Sequence, residues 1–396
     1  MRLLSLAPFL TLLTLACGGG GGSSDPAPPG PPAPVAGNFG ANLASQVSRN
    51  GVAGCWGYTA PDGGRYGLMG TAKGVLIVDL HNPDQARVVD EVDGPTNTSL
   101  PGIYWREMRV YGHYAYICSE HTNVRGGVMV LDLSGLPDSV RYVRSIVPHD
   151  GRLNAHTVDI DPATGLLYLQ RYTQLPAPGA EGGPALPHHD EVFGTAGQGS
   201  VEIWDLKTDP EQPAYVTTFN QGHFVHDMTA RNGRCYVAEG SDSAYSVWNV
   251  SDPSHPAQVV RWNVASGHFA HNIWPSEDGS FVATTEEVPQ GLPMRIWTLN
   301  GAQAPTPRGS FKYLDATPHN VQIEGRRAYL SHYSQGLVVV DLSNLDQPTA
   351  LAHWDTSPFT GSDYEGCWGV FKFPGQPLLL GSDIDQGLQV VRITVP

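Results

Sequence analysis

A short apolar string that ends in Asp-Leu or a close variant recurs seven times along the chain. The fifth positions of consecutive strings are separated by 53, 73, 44, 49, 43 and 51 residues. Repeats with a period near fifty residues and runs of β-branched residues are typical of closed β architectures, in which each repeat forms one small sheet. The seven fifth positions are Asp79, Asp132, Asp205, Asn249, Thr298, Asp341 and Arg392.

Each repeat predicts four antiparallel strands, because short alternating apolar runs are separated by hairpin turns and a Pro-containing loop. The expected fold is therefore all-β: a seven-bladed β-propeller over residues 41–396. The last copy stops after its third strand, at Ile393. The segment from Ala41 to Arg49 is then free to supply the missing outer strand and to close the ring. The extra length of the third repeat, between residues 173 and 198, predicts an exposed loop.

The amino terminus predicts export. An apolar stretch from Leu3 to Ala16 is too short to span a membrane and reads as a signal peptide over residues 1–16. Cys17 ends a sequence that is similar to a bacterial lipobox, and residues 17–40 form a Gly-, Ser- and Pro-rich tether. We expect Cys17 to be lipidated, which would place the chain on the outer membrane or cell surface. Ordinary signal cleavage with an incidental Cys17 is the alternative.

The charge balance limits the partners. The formal net charge is -15, which disfavours nucleic acid and anionic membrane surfaces. We therefore expect contact with the membrane only through the lipid, a monomeric propeller, and a small-molecule, peptide or protein ligand that the sequence does not identify.

Alignment of the repeats brings seven residues to one equivalent position at the start of the inner strands. In a propeller these strands line the central channel, so the seven residues should surround its axis. Four consecutive blades contribute a histidine at this position. The seven residues are Trp56, Arg106, His156, His226, His271, His319 and Trp368.

The four histidines suggest a metal site at the mouth of the channel. Converging neutral imidazoles suit Cu, Zn or Fe, and carboxylates at the ends of the second strands, Glu239 and Glu286, could complete the ligand set. The alternative is structural: a polar residue that begins each inner strand can hydrogen-bond the neighbouring blade. The sequence leaves both interpretations open.

The remaining members of the ring suggest either packing or ligand contact. Trp56 and Trp368 could be apolar plugs, or they could form an aromatic wall beside Arg106 and Asp227. A cysteine precedes each tryptophan, in blades that become neighbours when the ring closes. Cys55 and Cys367 could therefore form a disulfide in an exported protein.

The repeated strings resemble the LVIVD repeat, and residues 42–393 resemble the choice-of-anchor B family of bacterial surface proteins. The resemblance rests on motifs such as Trp105-Arg106-Glu107, Val225-His226-Asp227, His271-Asn272 and His319-Asn320. It implies a propeller attached to the cell surface by interchangeable anchors, and it implies no established activity.

Two functions follow from these observations. The first is a lipid-anchored, surface-exposed binding or interaction module. The second is a metal-dependent enzyme, for instance an oxidoreductase, that uses the axial histidines. The sequence contains no nucleophile elbow, Walker loop, dinucleotide fingerprint or zinc-protease helix motif.

Overall fold

Seven four-stranded antiparallel sheets make up the computed structural model of the chain. The structure describes residues 37–96, 105–120, 124–171 and 199–395. The predicted signal peptide, Cys17, most of the predicted tether and the predicted loop of the third repeat lie outside these residues. Within the described ranges the only helix is a 3₁₀ turn at Pro83–Gln85, and no helix is long and apolar enough to cross a membrane. The prediction of a seven-bladed, all-β propeller is confirmed.

The strands of blades 1 to 4 follow the predicted order, from the inner strand to the outer strand. Blade 1 contains β2 (Val52–Thr59), β3 (Arg65–Thr71), β4 (Gly74–Asp79) and β5 (Arg87–Asp93). Blade 2 contains β6 (Arg106–Tyr111), β7 (Tyr114–Ser119), β8 (Val128–Asp132) and β9 (Arg141–Ile146). Blade 3 contains β10 (Val158–Asp161), β11 (Leu166–Arg171), β12 (Ser200–Asp205) and β13 (Ala214–Phe219). Blade 4 contains β14 (Asp227–Arg231), β15 (Arg234–Ala238), β16 (Ala244–Asn249) and β17 (Ala257–Asn263).

Blades 5 and 6 repeat this order, and blade 7 takes its outer strand from the start of the propeller. Blade 5 contains β18 (Ala270–Pro275), β19 (Phe281–Glu286), β20 (Met294–Asn300) and β21 (Gln303–Phe311). Blade 6 contains β22 (Val321–Glu324), β23 (Arg327–Ser331), β24 (Leu337–Asp341) and β25 (Thr349–Trp354). Blade 7 contains β26 (Cys367–Lys372), β27 (Leu378–Asp383), β28 (Gly387–Ile393) and β1 (Ala41–Val47).

The ring closes as predicted, through pairing of the first strand with the last. Ala41 is opposite Ile393 and Val47 is opposite Leu388 in the antiparallel β1–β28 ladder. Because this ladder covers the outer edge of β28, it removes an exposed sheet edge that could pair with another chain.

Seven apolar clusters, each between two neighbouring blades, make up most of the core of the described residues, and two smaller clusters accompany them. The string that recurs in every third strand supplies much of this core: Leu76 and Val78 face blade 7, whereas Val75 and Ile77 face blade 2. Apolar side chains therefore project to both faces of the sheet, and burial of each one contributes about 1.5–3 kcal/mol. Gly57 permits the close approach of blades 1 and 7, since a Cβ atom there would lie 2.1 Å from the ring of Phe371.

The polar residue at the end of the third strand begins a turn. In five blades its side-chain oxygen accepts a hydrogen bond of 2.7–3.1 Å from the backbone N–H two residues later. This is the Asx-turn geometry that stabilises a tight reversal. The repeated residue therefore has a structural role in Asp79, Asp132, Asp205, Asn249 and Asp341.

Candidate functional site: a histidine row and an axial cavity

The four aligned histidines lie side by side at the end of the channel where the inner strands begin. Their ring centroids are 4.3 Å apart for His156 and His226, 4.5 Å for His226 and His271, and 4.2 Å for His271 and His319. Each residue is 1–3% exposed. We call these four residues the histidine row. The repeat alignment therefore identified a real cluster.

Hydrogen bonds from Nδ1 join the row from one blade to the next. Nδ1 of His226 donates to the carbonyl oxygen of His271 at 2.9 Å, and Nδ1 of His319 donates to that of Trp368 at 2.5 Å. Such hydrogen bonds to the neighbouring blade are what we predicted for histidines with a purely structural role. Because Nδ1 is the donor, the neutral ring carries its lone pair on Nε2. The same contacts therefore orient Nε2 as a metal ligand in the usual outer-shell manner.

Burial disfavours the protonated form of two members of the row, His156 and His271. It lowers the pKa of His156 and of His271 well below the ordinary value of 6.5, and the neighbouring imidazoles lower both values further. Nδ1 of His156 lies 2.5 Å from a carboxylate oxygen of Glu120. Neutral imidazole is the form that binds a metal, so no proton has to be displaced from His271 at neutral pH.

Besides Glu120, the carboxylate of Glu287 also faces the row. Its Oε2 lies 3.7 Å from Nε2 of His271, and its Oε1 lies 3.9 Å from Nε2 of His319. The hydroxyl of Tyr333 donates to Oε1 at 2.6 Å and holds the carboxylate in place. The three ligand atoms lie within 4.8 Å of one another. This spacing would allow one cation to contact all three after a small adjustment.

Glu239 and Glu286 are directed away from the row, contrary to the sequence-based ligand set. Glu239 accepts hydrogen bonds from Arg261 and Ser246, and Glu286 pairs with Arg295 and His268. Adjacent residues at the end of a strand face opposite sides, so Glu286 and Glu287 cannot both face the axis. The structure therefore places Glu287, rather than the predicted Glu286, beside the histidine row.

Arg106 and Trp368 lie at the level of the histidine row but do not form a joint binding wall. The guanidinium of Arg106 is fully buried, its Nε donates to the carbonyl oxygen of Pro95 at 2.7 Å, and burial lowers its pKa to about 10. The indole of Trp368 packs 4.8 Å from His319 and 5.9 Å from Trp105, measured between ring centroids. Both side chains therefore serve packing at this end.

Trp56 lies beyond the histidine row, and Ala53 occupies its position in the ring. Trp56 pairs with Leu68, and Leu68 pairs with Ile77, which is the third residue of the repeated string in blade 1. In blade 3 the inner-strand residue that connects in the same way to the third residue of the string is Asp159. Trp56 therefore lies level with Asp159, three residues after His156. The ladder between β2 and β3 shifts register between Val52 and Cys55, an irregularity that the sequence does not reveal. The predicted ring is therefore wrong at this one position.

Asp227 lies in the narrow middle of the channel. Its Oδ2 accepts a hydrogen bond from Asn272 at 2.5 Å, and its Oδ1 accepts one from the backbone N–H of Met228. Glu107 and Arg109 line the same narrow passage. Asp227 therefore separates the two ends of the channel rather than lining a mouth.

Cys55 and Cys367 are free thiols in the structure, so the proposed disulfide is absent. Cys55 packs in the cluster between blades 1 and 7, whereas Cys367 packs in the cluster between blades 6 and 7. The two thiols thus lie on opposite faces of the blade 7 sheet. Burial raises the pKa of Cys55 to about 12 and that of Cys367 well above 9.0. Both are unreactive, protonated packing residues.

A cavity of about 450 Å³ opens at the other end of the channel, where the inner strands terminate. Its walls include residues three positions after the histidine-row level of the inner strands. Arg109 stacks on Trp56 at 4.1 Å and pairs with Asp159 at 2.6 Å. The six wall residues at this level, besides Thr229, are Trp56, Arg109, Asp159, Trp274, Gln322 and Phe371.

This cavity was not predicted from the sequence, although the repeat contains a pattern that indicates it. Five of the seven residues at this level are aromatic or charged: two tryptophans, a phenylalanine, an arginine and an aspartate. A scan of every position of the inner strand, rather than its first position alone, would have found them. Buried charges support their significance, since burial raises the pKa of Glu107 to about 7 although the nearby Arg109 opposes this shift.

Comparisons with known proteins agree with the architecture. Residues 318–356 match the LVIVD repeat family. No curated protein matches the chain. Among solved structures, the RRP9 WD40 repeats are similar with 10% identity and a TM-score of 0.57, over 91% of this chain and 99% of that one.

Two further structures show the same likeness. The β-propeller domain of Myceliophteria thermophila Cps50 (Swd1) is 12% identical, with a TM-score of 0.57, over 89% of this chain and all (100%) of that one. A Lactobacillus plantarum protein is 14% identical, with a TM-score of 0.56, over 78% of this chain and 85% of that one. At these identities the likeness concerns the fold alone. The chain is thus a repeat β-propeller that carries an LVIVD repeat.

Proposed function

We propose that this protein is an exported, lipid-anchored propeller of the choice-of-anchor B kind that acts as a surface-displayed binding module. The lipobox-like sequence that ends at Cys17, followed by a Gly-, Ser- and Pro-rich tether, supports the anchor. The propeller offers two chemically different ends of one channel, as expected of a module that binds rather than of one built around a single reaction centre.

The anchor is tested by Cys17→Ser in the full chain. We expect the wild-type protein in the membrane fraction and the variant in the soluble exported fraction, because one thioether-linked lipid carries the attachment. Ser24→Ala in the tether is the matched control and should remain in the membrane fraction. A Cys17→Ser protein that stays membrane-bound would contradict the lipid anchor.

The second part of the proposal is a divalent transition metal held by His271, His319 and Glu287. The observation that carries it is the convergence of two Nε2 atoms and one carboxylate in a site that is about 1% exposed. Two imidazoles and a carboxylate suit Zn, Cu or Fe. His226 is next in the row and is the nearest candidate for a fourth ligand, with its ring 4.5 Å from that of His271.

Such a metal would stabilise blades 5 and 6 rather than turn over a substrate. His271 and Glu287 belong to blade 5 and His319 leads into blade 6, so one ion would join neighbouring sheets. The deep burial of all three side chains favours this structural role over catalysis, which needs an open coordination position reached by substrate.

Element analysis of the untagged full chain tests the metal. We expect close to one equivalent of Zn, Cu or Fe, lost in His271→Ala and in Glu287→Gln. His268→Ala is the control, because His268 belongs to the same Gly-His-Phe-x-His frame as His271 but contacts Glu286 instead. A metal-free protein whose thermal unfolding is unchanged by added Zn, Cu or Fe would overturn this part of the proposal.

A further inference from the structure

The cavity at the far end of the channel has the size and the lining of a small-ligand site. Its volume of about 450 Å³ lies within the range of roughly 300–1,000 Å³ that is usual for such sites. Its walls combine aromatic rings with aliphatic side chains and a few buried polar groups. It lies at the opposite end of the inner strands from the histidine row, so its occupant is independent of the proposed metal.

Two polar side chains of the cavity have N–H groups that make no hydrogen bond to the described residues. Nε and Nη1 of Arg109 are bonded to Asp159, Glu107 and a backbone carbonyl, but Nη2 makes no hydrogen bond to any described residue. Oε1 of Gln322 accepts from the backbone N–H of Lys372, while its amide nitrogen makes no bond among the described residues. Two side chains thus retain N–H groups for a ligand.

The carboxylates of the cavity, in contrast, are largely satisfied by the protein. Each oxygen of Asp159 accepts one hydrogen bond, from Arg109 and from the backbone N–H of Ala230. Both oxygens of Asp161 accept backbone N–H groups, and Glu324 is held by Lys372 and Gly375. The cavity is therefore built to meet a ligand that brings hydrogen-bond acceptors.

The charges of the cavity argue against a free anion as that ligand. The lining contains three cationic side chains and four carboxylates, and Arg109 and Lys372 are already paired at 2.6 and 2.7 Å. An added negative charge would lie close to Asp159 and to Glu107 beneath it. A bare cation would meet the unused N–H groups of Arg109. A neutral ligand avoids both penalties.

The aromatic wall adds a flat apolar surface. The half-buried indole of Trp274 packs on the cluster between blades 5 and 6 and lines the cavity, and no cation or aromatic ring of the described residues stacks on it. An indole face attracts polarised C–H groups because its π-system is electron-rich. A pyranose ring offers such a C–H face, together with a girdle of neutral oxygen acceptors.

We propose that this cavity binds a neutral saccharide of one or two rings, with a sugar ring on Trp274 and its oxygens on Arg109 and Gln322. Saturation-transfer NMR with the full chain tests this, with maltose, glucose, glucosamine and glucuronate as probes. The three monosaccharides share one ring and differ in charge. We expect saturation transfer from the protein to maltose and to glucose. The transfer to glucuronate and to glucosamine should be at least five-fold weaker.

Two variants and one control locate the binding. Trp274→Ala and Gln322→Ala should each weaken maltose binding about ten-fold, whereas Trp297→Ala, which removes an indole that lies in another cluster, should leave it unchanged. Near-UV circular dichroism establishes that each variant is folded, and Gln322→Ala removes much less apolar packing area than Trp274→Ala. Absence of saturation transfer to both neutral sugars, or stronger transfer to glucuronate than to glucose, would overturn the proposal. Folded Trp274→Ala and Gln322→Ala variants that bind maltose like the wild type would also overturn it. Since chelated and metal-loaded protein should bind alike, failure here leaves the metal proposal standing.

Discussion

The two ends of the axial channel are built from the same seven strands, yet they differ in the buried polar side chains that they contain. At the histidine end, burial lowers the pKa of His156 and His271, and His226 and His319 are joined to the next blade through backbone carbonyls. At the cavity end Arg109, Glu107 and Asp159 form a buried network of charged side chains. A shift of three residues along one strand therefore changes which buried polar side chains line the channel, whereas the fold stays the same.

This difference shows what a repeat architecture leaves variable. The third strands are nearly interchangeable because every one of them must fill two inter-blade clusters. The inner strands also contribute residues such as Val158 and Ile160 to these clusters, but most of their channel-facing side chains lie outside them and can differ between blades. Any specificity of this propeller must therefore come from the inner strands and their ends.

The largest effect is expected from breaking the charge network. Arg109→Leu would leave two carboxylates buried without their cation, which costs about 3–5 kcal/mol of unfolding free energy at pH 8. Arg308→Leu is the control: it breaks an exposed pair with Asp346, and such pairs contribute about 0–1 kcal/mol. Urea denaturation measures both. Equal losses would show that the cavity end does not depend on buried ion pairs.

The two ends should also respond to acid in opposite directions. The pKa of His271 is depressed below 6.5, so at lower pH the unfolded chain takes up a proton that the folded row refuses, and stability falls. The pKa of Glu107 is raised from 4.5 to about 7, so between these values the folded state binds the extra proton and stability rises as the pH falls. Each group changes the unfolding free energy by up to about 1.4 kcal/mol per pH unit.

Urea midpoints between pH 7.5 and 5 separate the two contributions in metal-chelated protein. His271→Asn should flatten the loss of stability on acidification, and Glu107→Gln should make it steeper. Slopes rather than absolute stabilities are compared, so a constant cost of either substitution does not affect the result. Slopes that change in the same direction in both variants would contradict the opposite protonation states assigned to the two ends.

Much of this molecule can be predicted from the sequence, because the repeat length fixes blade number and the truncated last copy requires a donated strand. The histidine row follows from the same alignment. Trp56 could not be placed, since hairpin lengths differ between blades and register shifts near Val52, Ala270 and Cys367 interrupt the inner ladders, so spacing along the chain does not give height in the channel. Nor could Glu287 be chosen over Glu286, because a change of one residue moves a side chain to the other face of a strand.

The smallest expected effect concerns the two buried thiols of the first and last blades, Cys55 and Cys367. Cys55 borders the narrow middle of the channel, and burial raises its pKa to about 12, so it stays protonated and shielded at pH 8. A reductant should change the unfolding free energy by less than about 0.5 kcal/mol, because no disulfide links blades 1 and 7. A thiol reagent should label Cys55 and Cys367 only after denaturation, which mass spectrometry of the peptides detects. A mass 2 Da lower in the unreduced protein, with neither cysteine peptide labelled after denaturation, would contradict this prediction. It would show that a disulfide joins blades 1 and 7 and that the pairing of β1 is not the sole closure of the ring.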